Sequence, residues 1–264
     1  MRLSPIAPPF CTTHTIALII YIVIYLKQEF PLCYFVLSPA NMCTGACSKF
    51  IAVPLYILAL VSIICNIVLF FPDLQTKYAA EDREGHPRIT EEVKYMGGVI
   101  GGGIMVLIPA IHIHLTSSGK CCANRCGMFL SIGFAAAGVA GAVYSLSVAA
   151  LGLANGPLCY WSNLQNPFPK WGVPFANSTG NYLTDKHMWN WCILPKDVVE
   201  FNVGLFSTLL VAACLELILC LIQMINGLFG CICGTCSGKE VGARAPFSAP
   251  FHTKRNAFME DLKW

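Results

Sequence analysis

The chain has 264 residues, of which 56% are hydrophobic and 12% charged, about half the charge usual in a soluble domain. Its net charge of +3 is small and dispersed, which argues against nucleic acid as a partner. No GxSxG, HExxH or phosphate-binding glycine loop followed by lysine occurs, so no catalytic residue, cofactor or metal site is expected, and the composition fits one membrane domain.

Residues 1–41 contain an apolar run at 15–26, too short to span a bilayer alone and interrupted afterwards by Lys27, Gln28, Glu29 and Pro31. They read as an N-terminal extension that is a signal-peptide core, a fifth span, or upstream sequence absent from the working protein. Four longer apolar runs follow, at about 50–71, 95–115, 128–154 and 203–230, each long enough for the ~20 helical residues that cross ~30 Å of hydrocarbon. The second opens with Gly97, Gly98, Gly101, Gly102 and Gly103. Each glycine would cost ~1 kcal/mol in a soluble helix, but in lipid it lets a neighbouring backbone come close. The third carries Gly133, Ala137, Gly141, Ser145 and Ala149 at four-residue spacing, read as one small-residue helix-packing face. A polar tail, 237–264, follows the membrane domain at 42–236.

Three signs orient the spans. The 116–127 link and the tail from 231 hold seven basic residues in 46 positions, against seven in 71 for the 72–94 and 155–202 loops, a bias that assigns the link and tail to the cytoplasm. Asn177-Ser178-Thr179 is a glycosylation acceptor, useful only outside. Cys159 and Cys192 are the two cysteines of the large loop, and a disulfide between them needs an oxidising compartment. Bridged, they would close about 34 residues and contribute roughly 3–4 kcal/mol; the alternative is two free thiols. Trp161, Trp171, Trp189 and Trp191 lie among Pro167, Pro169 and Pro174 in this loop, which suits either a partner-binding surface or a small aromatic core.

Eight cysteines fall on the expected cytoplasmic side: Cys43, Cys47, Cys121, Cys122, Cys126, Cys231, Cys233 and Cys236. Juxtamembrane placement makes them palmitoylation candidates, ahead of inert thiols and of a zinc site, which lacks a second ordered CxxC pair or a nearby histidine. Glu216 is a carboxylate in mid-span, costing ~2.5–3.5 kcal/mol on insertion scales, and must face the bundle interior. With Asn66, Gln223 and Asn226 it reads as intramembrane polar packing, Asn66 or Gln223 being its expected partner; the competing reading is a proton or cation site. His112 and His114 read as interfacial residues at the end of the second span.

Several strings resemble the transmembrane-four L-six family, whose founding member is a tumour-associated surface antigen. They are Met42-Cys43-Thr44-Gly45-Ala46-Cys47, Asn66-Ile67-Val68-Leu69-Phe70-Phe71-Pro72, the 97–103 glycine run and Ala149-Ala150-Leu151-Gly152-Leu153-Ala154-Asn155-Gly156-Pro157-Leu158-Cys159. Pro195-Lys196-Asp197-Val198-Val199-Glu200-Phe201-Asn202-Val203 and Cys220-Leu221-Ile222-Gln223-Met224-Ile225-Asn226-Gly227 complete the set, which runs from about Met42 to Cys236. The chain departs from the family pattern in residues 1–41, which have no counterpart, in a longer tail, in a shorter cysteine-rich link, and at Asn202-Val203-Gly204, where members often carry a sequon. True tetraspanins differ by a Cys-Cys-Gly motif in the large loop, and claudins by paired cysteines in the first loop.

The resemblance implies an all-α integral membrane four-helix bundle with a small disulfide-closed extracellular loop domain, in the plasma membrane, both ends of the core being cytoplasmic. It further implies a non-enzymatic organiser that associates laterally with integrins, tetraspanins or growth-factor receptors, or with its own copies, and modulates adhesion, migration and proliferation. The alternative from the residues alone is a small transporter or channel subunit working through Glu216.

Overall fold

The computed structural model describes residues 44–72, 89–117, 125–164, 167–176, 178 and 180–233, with the isolated positions 17 and 24. The expected 1–41 extension, those two positions apart, and the 237–264 tail therefore lie outside the described residues. Four helical spans form the body. They are α1 (Thr44–Leu69), a second span built from α2 (Glu91–Lys94), a π-helix (Gly98–Ile104) and α3 (Met105–Ser117), then α4 (Arg125–Asn155) and α5 (Val198–Cys233). All four are long and apolar enough to cross a membrane.

Large apolar side chains such as Leu60, Ile64, Ile108, Ile218 and Ile225 point outward, as lipid-facing positions should. Inside, one apolar cluster joins Leu55, Leu58, Val106, Ile113 and Leu219, and a second, towards the 155–197 end, joins Cys65, Leu69, Val93, Leu205, Phe206 and Leu209. The most extensive helix pairing is that of α4 with α5.

The second span is irregular because of its glycines. Met96 adopts a left-handed φ of 51°, and the π-helix follows at once. A Cβ at Gly98 would lie 2.6 Å from the Ser62 carbonyl oxygen, one at Gly101 2.5 Å from that of Gly141, and one at Gly103 2.5 Å from Ile63 Cγ1. Only hydrogen fits where α1 and α4 close on this segment from two sides, which is how helices bind one another in lipid. Asn66 Oδ1 accepts from the Val99 amide at 3.3 Å, taking up a donor where the turn widens.

The five-residue small stripe of α4 does not form one face, a correction to the expectation. Gly141, Ser145 and Ala149 are buried, whereas Gly133 and Ala137 are exposed, and nothing lies near Gly133. Four residues advance a helix by 400°, so each step drifts about 40° and the whole stripe about 160°. At the Gly133 end, Ser131, Ala135 and Gly138 face inward in its place.

α5 begins at Val198, five residues before the expected 203. Asp197 turns the chain with a φ of 55°, Glu200 places a negative charge in the first turn, and Val198 and Val199 are buried, so this turn belongs both to the helix and to the loop domain. The 155–197 segment also contains a small antiparallel sheet of strand order β2-β1-β3: β1 is Cys159–Trp161, β2 Lys170–Gly172 and β3 Cys192–Leu194.

Candidate functional site: the stapled lobe and the polar core

The lobe is built around β1. Tyr160 stands opposite Trp171 on β2 and opposite Leu194 on β3, and Trp161 opposite Lys170 and Cys192. Cys159 and Cys192 form a disulfide with Cα atoms 5.6 Å apart. Beneath it Phe175 stacks on Tyr182, centroids 4.4 Å apart, and on Trp191 at 6.2 Å, while Met188, Val198 and Val199 complete the core. The Trp189 indole N–H donates to the Tyr182 carbonyl at 2.8 Å, and Asp185 caps the 3₁₀ helix Lys186–Trp191 by accepting from the His187 amide at 3.0 Å. The four tryptophans are all half-buried, and three of them (Trp161, Trp189 and Trp191) pack against the lobe core. Lys170 and Lys186 sit over the rings of Trp161 and Trp189 at 5.6 and 5.4 Å.

Three ties hold the lobe to the bundle. The Tyr182 hydroxyl donates to the Leu153 carbonyl in the last turns of α4, and burial pushes that phenol up to about 12. Gly156 leaves α4 with a φ of +73° and packs under Phe175, 2.8 Å from where a Cβ would sit, the left-handed end that glycine tolerates best. The first turn of α5 is the third. What the lobe leaves uncovered is the tip between β1 and β2, where Leu164 is fully exposed and Phe168 is 85% exposed.

The second constellation lies in mid-bundle. Glu216 is wholly buried, and its Oε1 accepts from the Ser62 hydroxyl at 3.1 Å. The partner is thus on the expected helix but one turn before Asn66, and it is neither Asn66 nor Gln223. Gly102 makes the room: a Cβ there would meet Ser62 Oγ at 2.9 Å and Glu216 Oε2 at 3.1 Å. Gln223 instead reaches α4, donating to the Ser131 hydroxyl at 3.0 Å, and Asn226 donates to Gln223 at 3.4 Å. Asn66, Glu216, Gln223 and Asn226 are all buried, with Glu216 bonded to α1, Gln223 to α4 and Asn226 to Gln223 within α5. Ser62 and Ser131 carry no charge and escaped the sequence reading; the i−4 relation of Ser62 to Asn66 was the signal available.

Other sequence candidates scatter. His112 is buried against Phe134, ring centroids 4.6 Å apart, instead of facing an interface, and His114 meets Tyr56 edge-on at 6.2 Å. Cys47, Cys126 and Cys233 fall within α1, α4 and α5, and Cys231 is half-buried near the end of α5. Cys43, Cys121, Cys122, Cys236 and the glycosylation candidate Asn177 lie outside the described residues. Asn202, where family members often carry a sequon, is buried in α5. Among the described residues no three His, Cys, Asp or Glu side chains gather as metal ligands.

Residues 42–237 match the family model described as L6 membrane protein. The chain is 43% identical over 207 residues to human Transmembrane 4 L6 family member 1, a match covering 75% of this chain and 98% of that protein. Human Transmembrane 4 L6 family member 5 is 40% identical over 204 residues, with the same coverage. Transmembrane 4 L6 family member 4 of Rattus norvegicus is 37% identical over 203 residues, covering 74% and 94% of the two chains. No solved structure matches the chain.

Proposed function

The chain belongs to the L6 membrane protein family, a family of multi-pass membrane proteins not known as enzymes, and from that premise we propose that it is a non-enzymatic lateral organiser of the plasma membrane. The observation that carries this reading is the division of labour in the molecule. The lobe has a core of its own, shared with the first turn of α5, and its apolar tip at Leu164 and Phe168 is turned away from that core, a surface suited to a partner ectodomain. Integrins, tetraspanins and growth-factor receptors are the partner class, and adhesion, migration and proliferation the processes they influence. In this reading the lobe is extracellular, Asn177 carries a glycan, the cysteines at 43, 47, 121, 122, 126, 231, 233 and 236 are acylation sites, and both ends of the 42–236 core are cytoplasmic.

One observation favours a second reading. Glu216 Oε2 and Asn66 Nδ2 are buried with no hydrogen-bond partner among the described residues, which a proton- or cation-coupled transporter would use. Glu216→Gln separates the two. In an organiser the variant keeps its surface complexes, read by co-isolation in mild detergent after surface cross-linking; in a transporter it abolishes coupled flux in proteoliposomes. Loss of flux with intact complexes would replace the organiser reading.

A further inference from the structure

Leu164 and Phe168, between β1 and β2, are the two most exposed large apolar side chains among the described residues. Those next in rank, Phe129 and Ile232, lie near the ends of α4 and α5, where lipid can cover them. The described chain leaves the Leu164–Phe168 tip uncovered, yet its backbone is restrained by sequence. Pro167 fixes its own φ immediately before Phe168, and Pro169 disfavours the helical region at Phe168 itself. A ring presented in this way loses little freedom on binding, which suits an anchor that enters a pocket.

The charge beside the anchor has a fixed seat as well. Lys170 is exposed at the start of β2, and its ammonium lies 5.6 Å over the Trp161 ring, which holds a long side chain in place. It is the only charged residue from 155 to 176. That single charge chooses among occupants. A lipid surface is held by clusters of roughly four to eight Lys or Arg, far more than the tip offers. Two copies meeting tip to tip would oppose Lys170 to Lys170. A different ectodomain can supply the acid that this stretch lacks. We infer that Leu164 and Phe168 enter an apolar pocket on a partner ectodomain whose rim carries a carboxylate that pairs with Lys170. This docking surface presupposes the organiser reading and its extracellular lobe.

The test applies a water-soluble carbodiimide to intact cells carrying the full chain. The reagent joins an amine to a carboxylate in contact with it by an amide bond and takes up the water released. The expected product is an amide between Lys170 and an Asp or Glu of another protein's ectodomain, located by peptide mass spectrometry. Phe168→Ala and Leu164→Ala should each cut its yield about tenfold. Lys170→Arg should keep the complexes and abolish the amide, whereas Lys170→Glu should lower recovery of the same partner several-fold. Intact Cys159–Cys192 pairing checks that the lobe of each variant is folded. Three results would overturn the inference and leave the organiser reading standing: an amide to a second copy of the chain, a yield unchanged in Phe168→Ala, or surface complexes held by other cross-linkers with no amide at Lys170. Phe168-dependent binding of the reconstituted chain to bare phosphatidylserine vesicles would overturn it too. Absence of surface complexes with every cross-linker would remove that reading and the docking surface with it.

Discussion

The lobe and the bundle are stabilised by opposite means. In the lobe, large rings are taken out of water: Phe175, Tyr182 and Trp191 stack under a disulfide, and the hydrophobic effect together with covalent closure supplies the stability. In the bundle, lipid is as apolar as the side chains, so burial of leucine gains little. There the contacts that matter are the smallest and the most polar ones: Gly98, Gly101 and Gly141 at backbone distance, and Ser62–Glu216 and Gln223–Ser131 between helices. One chain thus shows that aromatic mass and glycine are each the stabilising choice in the right solvent.

That contrast can be broken from either side. The largest effect is expected from Cys192→Ser, which should cost the lobe roughly 3–4 kcal/mol while leaving the bundle assembled. Limited proteolysis would then cleave within 155–197 and spare the spans; equal loss in both regions would mean that they fold as one unit. Next is Gly101→Leu, whose Cβ alone lies 2.5 Å from the Gly141 carbonyl oxygen. It should destabilise the bundle by about 1–3 kcal/mol or more and lower its thermal midpoint in detergent, with the lobe disulfide intact.

Tyr182→Phe probes the joint between the regions. It removes the bond to the Leu153 carbonyl, at about 1 kcal/mol, and should abolish a pH effect. The folded phenol is held at about 12, above its ordinary value of 10.0. Stability is therefore fully present below pH 10 and lost as the pH rises from 10 to 12, because the unfolded chain ionises first. The difference between wild type and variant in thermal midpoint should shrink across that window; a constant difference would show that the phenol is not withheld from water. The smallest effect is expected for Ser131→Ala, which removes the hydroxyl that accepts from Gln223, about 0.6 kcal/mol, the average found for hydrogen bonds between membrane helices. A loss of several kcal/mol would show that polar pairs dominate this bundle.

The spans were legible because an apolar run of ~20 residues has few other uses. The disulfide was legible because Cys159 and Cys192 stand alone in a polar loop. The glycine run announced close approach, but which turn would widen into a π-helix depends on Asn66 reaching across to Val99, and a sequence read one helix at a time does not show that. The partner of Glu216 was missed for a related reason, since a serine in a membrane helix is too common to stand out. The strands were invisible because three residues are too short for alternation to register. The start of α5 was misplaced because Glu200 and Asn202 interrupt the apolar run at 198–203, and only the packing of Val198 and Val199 in the lobe core shows the helix already under way there.

That early start has a mechanical consequence. α5 is a single helix of 36 residues, about 54 Å from end to end, with its first turn inside the lobe core and its last beyond the apolar window that closes at Phe229. A rigid rod of this length that rocks by ten degrees about one end travels about 9 Å at the other. α5 therefore links the lobe core at Phe175 and Trp191 to Cys231 through one helix with no proline inside it.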